Sequence, residues 1–207
     1  VTIVATEQLS GASVRGRRDT VRNKRRLLNA AGELLREDPK NASMPAIAEK
    51  AQLSVATAYR YFPTLEELHS AYLHSVLVNL RDYTLASPLH GTSLFEDVIA
   101  RWVKLLETYG PAMIQVRSKE GFLTRLHAND EVIGTVHDAW ERPIREVLRE
   151  LGVPEERFDF ALMFYNAMFD PREINDMIHN RGRLSKDETI QTLIQAYYGA
   201  LRGMTAR

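Results

Sequence analysis

A chain of 207 residues, 44% hydrophobic and 26% charged, has room for one or two domains with a buried core. It contains no cysteine, which excludes disulfides, thiolate metal sites and cysteine nucleophiles and suits a reducing compartment. The net charge of zero argues against a general polyanion binder, but the charge is unevenly placed: residues 11–60 hold eleven Lys and Arg against five Asp and Glu, and residues 61–207 sixteen against twenty-one. No apolar run approaches the ~18 residues of a membrane span, and the start VTIVATEQLSG lacks the regions of a signal peptide, so a cytoplasmic protein away from membranes is expected.

Residues 1 to about 16 show no periodicity and are expected to form a mobile arm, with Arg15, Arg17 and Arg18 placed to reach a minor groove or phosphates. A first helix follows over about Thr20–Glu37, its stripe Leu27, Leu28, Ala31, Leu34 and Leu35 supplying a core, and Asp38-Pro39 ends it. Ser43 is the expected N-cap of a short helix over about Met44–Ala51, with Ile47, Ala48 and Ala51 on one face. Gln52-Leu53-Ser54 turns the chain, and Ser54 caps a second short helix, Val55 to about Phe62. This second helix offers Val55, Ala56, Thr57 and Ala58 first, then Tyr59, Arg60 and Tyr61. A helix entering DNA by its N-terminal end needs that order: short side chains where bases are close, longer donors where phosphates flank it. Phe62-Pro63 stops it, and Thr64-Leu65-Glu66-Glu67 reads as a capping box opening a long helix to about Thr84.

Ala86 to Thr92 is the clearest break in the chain. Beyond it the expected helices start at Ser93, with Glu96 at the third position; at Pro111, after a Gly110-Pro111 separation; at Asn129, as a cap, with Pro143 expected to kink the helix; at about Glu155; at Pro171, as a short helix to about His179; and after Ser185, with Glu188 at the third position. The helix over about 155–169 is apolar almost all round, which predicts burial on two sides. Gly199 and Gly203 in the last helix allow close helix approach, and these two long helices are expected to pair with their copies in a second subunit.

The quoted residues resemble the DNA-binding domain of the tetracycline-repressor (TetR) family of bacterial regulators over roughly Arg26–Leu73. LLNAAGELL is similar to that family's first helix, IAEKAQLSVATAYRYF to its second and third, and TLEEL to its entry into the fourth. Gln52 stands where the family has a turn glycine, and Leu65 where it has a phosphate-contacting lysine, so Leu65 is left out of the site. The resemblance implies that Val55, Ala56 and Thr57 face bases, that Tyr59 and Tyr61 lie near phosphates, and that Ser43 and Pro45 sit at the DNA-facing end of the preceding helix. Ser54 and Thr64 complete the candidate DNA-binding set. Arg60 is the most plausible base reader by its donors. It also implies dimerisation through the last two long helices.

No segment alternates with period two, and no phosphate loop, GxSxG elbow or HExxH motif occurs, so an enzyme is not expected. Neither His69/His74 nor His127/His137 places two imidazoles on one helical face, so neither a metal nor a cofactor is expected. The second half exceeds what a DNA-binding head needs and carries Trp102, Tyr109, Met113, Phe122, Trp140, Met163 and Phe164, suited to line an apolar effector cavity, with Gln115, Arg117, His127 and His137 as polar contacts. The expected protein is all-α, with about nine helices: a helix-turn-helix head over 1–84 and a ligand-binding and dimerisation bundle over 85–207. Its expected function is that of a repressor on a palindromic operator, released by a small apolar ligand. A regulator with a filled core and no such inducer stays open, as does, less favoured, a helical enzyme or oligomerisation module.

Overall fold

The computed structural model describes residues 6–115, 121–180 and 185–205, and among these it is all-α, with ten α-helices and no strand. The helices are α1 (Thr6–Glu37), α2 (Met44–Lys50), α3 (Val55–Tyr61), α4 (Leu65–Ala86), α5 (Gly91–Gln115), α6 (Phe122–His127), α7 (Glu131–Glu150), α8 (Phe158–Met168), α9 (Pro171–Asn180) and α10 (Lys186–Arg202). Two compact units form, Val1–Tyr72 and Leu73–Arg207, and the division falls within α4.

In the first unit, Leu27, Ala30 and Ala31 of α1 close on Met44, Ile47 and Ala48 of α2, Ala58 of α3 and Leu68 of α4. Ser43 caps α2 by accepting from the Ala46 amide, and Ser54 caps α3 by accepting from the Thr57 amide at 3.1 Å. Leu65 is partly buried against this core. Gly32 is a point of close helix approach: a Cβ there would stand 2.3 Å from the Tyr72 ring.

Helix α1 begins at Thr6, so residues 6–16 are helical rather than an irregular arm; residues 1–5 lie outside the described residues. Periodicity reveals a helix only where one face is buried, and a helix already nucleated over the apolar stripe extends by its own hydrogen bonds without adding one.

The second unit is built around α5, which packs on α7 and α9, while α7 packs on α8 and α8 on α10. Phe95 lies at its centre, stacked on Tyr197 at 5.1 Å and edge-on to Trp140, Tyr165 and Phe169. Tyr197 is fully buried and donates to the Ala161 carbonyl at 2.9 Å; burial pushes its phenol well above the ordinary tyrosine range.

Three sequence expectations are corrected here. Helix α5 starts at Gly91 rather than after Ser93, because its N-terminus is capped from another helix: the Gly91 amide donates to Glu146 at 2.7 Å and the Thr92 amide to Glu150 at 2.7 Å, both on α7. Gly91 has φ +58, and a Cβ there would collide with the Glu150 carboxylate. Helix α5 also runs through Gly110 and Pro111, with Gly110 buried and Asn175 of α9 only 3.3 Å from where a Cβ would be; the glycine serves packing, not separation. Finally, Asp130, not Asn129, caps α7, accepting from the Ile133 amide at 3.0 Å, whereas Asn129 (φ 57) closes α6. Pro143 is buried inside α7, which continues to Glu150. The expected capping box at Ser185 and Glu188 forms in full.

Two outcomes follow for the first unit. Gly32→Ala is expected to lower the melting temperature, since forcing the Tyr72 ring aside costs about 1–3 kcal/mol and alanine's helix propensity returns only about 1. The second concerns His69, one of whose ring nitrogens donates to the Ala42 carbonyl while its Nε2 is buried with no partner. Burial holds its pKa below the ordinary histidine value, outweighing the carbonyl bond, so the folded state favours the neutral ring. The unfolded chain takes up the proton first as pH falls through about 6.5, so this contribution is full above that value and lost below it. Thermal unfolding between about pH 7.5 and about pH 5.5 should therefore show a steeper loss of stability for the wild type than for His69→Gln.

Candidate functional site

Each of the two short helices is anchored by buried residues and leaves others exposed: Met44, Ile47 and Ala48 are buried in α2, with Pro45 exposed. In α3, Ala58 alone is buried and anchors the helix to the core; Val55 (39% exposed), Ala56, Tyr59 (47% exposed) and Arg60 face outward. Ser43, Pro45, Ser54 and Thr64 are exposed as well, at the starts of α2, α3 and α4. Thr57 is half-buried, and its hydroxyl lies 2.8 Å from Ser54 Oγ, so the two hydroxyls at the entry of α3 hold each other. Arg18 is exposed on α1; the side chains of Arg15 and Arg17 lie outside the described residues.

The two tyrosines differ in environment. Tyr61 packs against the core, and Asn23 of α1 donates to its phenol oxygen at 3.4 Å. That bond, with help from Arg60 and Thr20, holds the Tyr61 phenol below its usual range despite partial burial. Tyr59 makes no such tie and keeps its ring outward. The Arg60 guanidinium sits 5.3 Å from the centre of the Tyr61 ring, so the ring and the phenol oxygen together orient it at the exposed end of α3. Lys24 of α1 lies 5.7 Å from the Phe62 ring centre, at the far end of α3.

The turn between the helices is closed by two backbone bonds, Gln52 N–H to the Glu49 carbonyl at 2.8 Å and Leu53 N–H to the Ala48 carbonyl at 2.9 Å. This is the Schellman arrangement, with Gln52 left-handed at φ 54. Arg26 of α1 bonds Gln52 directly, a contact that sequence reasoning missed because nothing in the local pattern at residue 26 refers to residue 52.

In the second unit the residues expected to line an effector cavity are distributed rather than gathered. Trp140 is buried in the aromatic cluster, 4.0 Å from Tyr165 between ring centres. Trp102 is buried and donates its indole N–H to the Phe169 carbonyl at 3.3 Å. Met113 is buried, Tyr109 and Phe122 are half-buried, Phe164 stacks between Phe160 and Tyr197, and Met163 faces outward at 38% exposure. His127 is exposed and His137 half-buried; Arg117 and the side chain of Gln115 lie outside the described residues. An open groove of about 240 Å³ lies along α7 and is charged, lined by Leu85, Asp138, Glu141, Arg142, Arg145, Glu146 and Arg149. It contains none of the expected apolar residues.

The histidine spacings overlooked one mixed group: His137, Asp138 and Glu141 place one ligand-type atom each within 4.8 Å of one another. Its charges are already engaged, Glu141 by Arg145 at 3.0 Å and Asp138 facing His137 at 3.3 Å.

Helix α4 is tied to α7 at two places in the second unit. His74 Nε2 lies 2.9 Å from Thr135 Oγ1, whose own proton goes to the Glu131 carbonyl. Arg142 donates to the carbonyls of Thr84 (2.9 Å), Ser87 (3.0 Å) and Leu89 (2.8 Å), capping the C-terminal end of α4, while Glu146 accepts from its Nε at 3.1 Å.

A core-anchored pair of short helices, the second with its outer face free, defines a helix-turn-helix DNA-binding head carried by an all-α chain. Residues 27–72 match the sequence model of the bacterial regulatory proteins of the tetR family. In fold, the chain is similar to a tetR-family transcriptional regulator from Streptomyces coelicolor (TM-score 0.61, 20% identity, covering 88% of this chain and 84% of that one). It is equally similar to a TetR transcriptional regulator from Rhodococcus sp. RHA1 (TM-score 0.61, 23% identity, 88% and 97% covered). No curated protein matches the sequence. Residues 27–72 thus carry the sequence pattern of the tetR family's regulatory proteins, and the chain as a whole has a fold similar to that of tetR-family transcriptional regulators.

The different settings of the two tyrosines give a direct test. Tyr61→Phe, which removes the Asn23 bond, should lower the melting temperature by a few degrees, whereas Tyr59→Phe should leave it unchanged. Thermal unfolding followed by circular dichroism reads both.

Proposed function

We propose that the chain is a dimeric, cytoplasmic repressor that binds a palindromic operator and is released from it by a small, largely apolar ligand. The observation that carries this reading is the outward face of α3, where Val55, Ala56, Tyr59 and Arg60 stand free around the buried anchor Ala58. Val55, Ala56 and Thr57 would meet bases, Arg60 would donate to a base edge, and Tyr59 with Ser43, Pro45, Ser54, Tyr61 and Thr64 would hold phosphates. Arg15, Arg17 and Arg18, along the start of α1, would add sequence-independent attraction. Among the described residues no helix is long and apolar enough to cross a membrane, which agrees with a freely diffusing regulator.

Dimerisation through α8 and α10 is supported by what these helices leave uncovered. Phe160 (52% exposed), Met163 and Ala167 face outward on α8, and Thr192, Ala196 and Gly199 do so on α10, as does Gly203 at its C-terminal cap, with nothing within 4 Å of a Cβ at Gly199. Large apolar side chains beside a strip of small ones suit close packing of a second copy. Two heads would then meet half-sites about 34–36 Å apart, or a multiple of that. An effector among α5–α8 would displace α7 and, through His74 and Arg142, the C-terminal part of α4, which is continuous with the head. Shifting the population from mostly competent to mostly incompetent requires differential affinity of about 5 kcal/mol.

A second reading, a regulator with a filled body and no small-molecule inducer, is favoured by one observation. Phe95, Trp140, Tyr165, Phe169 and Tyr197 pack directly on one another where an apolar ligand would sit.

The experiment selects duplexes from a random library with the purified protein, then screens small hydrophobic compounds for thermal stabilisation and release of the selected DNA. Stabilisation with release is the expected result. Selection without any stabilising compound favours the second reading, and failure to select DNA removes both. On operator variants, Arg60→Ala should relax sequence preference while Tyr59→Phe weakens binding to all variants alike; unchanged affinity in both would remove these base and phosphate assignments.

A further inference from the structure

We propose that Arg26 is a positioning residue for the recognition helix, acting through Gln52, so that the pair does together what a glycine at the turn would do alone. The inference rests on the reading of the head as DNA-binding. Gln52 follows the end of α2 in a left-handed conformation, φ 54, which a residue with a Cβ adopts only at a cost, and which asparagine tolerates better than glutamine. Helices α6 and α7 end with the same two-bond closure. In α6 the left-handed residue is Asn129 (φ 57), and in α7 it is Gly152 (φ 67). These are the two residue types that occupy this conformation most readily.

Only at Gln52, among the described residues, does an arginine clasp the left-handed residue itself. Arg26 Nη2 donates to the Gln52 carbonyl oxygen at 3.3 Å and to the Gln52 side-chain oxygen at 3.2 Å. One nitrogen bridging the two oxygens fixes both the orientation of the peptide that leaves Gln52 and the side-chain rotamer. Two residues later Ser54 caps α3, so the direction of that peptide sets where the recognition helix starts. The clasp is referenced to the core, because Arg26 precedes the fully buried Leu27 on α1. Among the described residues no carboxylate pairs with Arg26, and its guanidinium is turned to Gln52.

The test is a cycle of Arg26→Ala, Gln52→Gly and the double variant, with Arg26→Lys alongside. Lysine keeps the charge, but its shorter side chain does not reach to bridge both oxygens. Melting temperature is measured for each protein, together with affinity and its salt dependence on a duplex selected by the wild type. We expect Arg26→Ala and Arg26→Lys each to lower the melting temperature and to weaken DNA binding about ten-fold. Gln52→Gly should bind like the wild type, and the double variant like Gln52→Gly. Equal losses from Arg26→Ala in both backgrounds, or wild-type affinity in Arg26→Lys, would overturn the inference and make Arg26 a direct phosphate contact; wild-type affinity in Arg26→Ala would overturn it outright. If the wild type selects no DNA, the DNA-binding reading fails and this inference with it, whereas selection followed by equal losses removes this inference alone.

Discussion

A helix of seven residues cannot stand on its own hydrogen bonds, because the entropy of fixing its first turn is barely recovered over so few residues. Both α2 and α3 are of that length. The head therefore exists only as a packed unit, in which α1 and the start of α4 supply the apolar surface that the short helices lack. Small residues at the contact, Ala30, Ala31, Ala48 and Ala58, let the backbones approach, and the same packing leaves the outer face of α3 free. Fold and exposed surface are two results of one constraint.

In the second unit a comparable part falls to α7. Three of its side chains, Arg142, Glu146 and Glu150, recur at one-turn intervals and serve the ends of other helices: the arginine the last carbonyls of α4, the carboxylates the first amides of α5. Each carries the charge that complements the helix end it meets. Arg142 and Glu146 also bond each other, so each compensates the other's charge, and Glu146 is held below the usual carboxylate range against the effect of its burial, chiefly by the Gly91 amide. The corner between α4 and α5 is thus set by α7.

Much of this was legible in the chain, and what was legible was local. Ser43 and Ser54 announce their helices because an N-cap acts within three residues, and Ser185 with Glu188 does the same for α10. The stripe in α1 reads correctly from Leu27 to Leu35 because that face is buried, while the sequence of its extension to Thr6 carries no apolar period. The division of labour between Tyr59 and Tyr61 could not be read, since their side chains differ only in what α1 places beside them. The aromatic residues of the body were recognisable as a group, but not as a packed cluster around Phe95, which no spacing singles out.

By itself the sequence determined an all-α chain, the helix-turn-helix and its caps, and the resemblance over the head that the family match bears out, because each depends on residues a few positions apart. Tertiary structure alone decided where α5 begins, why Gly110 does not break it, and how Gln52 is held in a conformation that favours glycine. In each case the deciding group is distant in sequence: Glu146 and Glu150 for Gly91 and Thr92, Asn175 for Gly110, Arg26 for Gln52. A local pattern cannot encode a partner that only folding brings within reach.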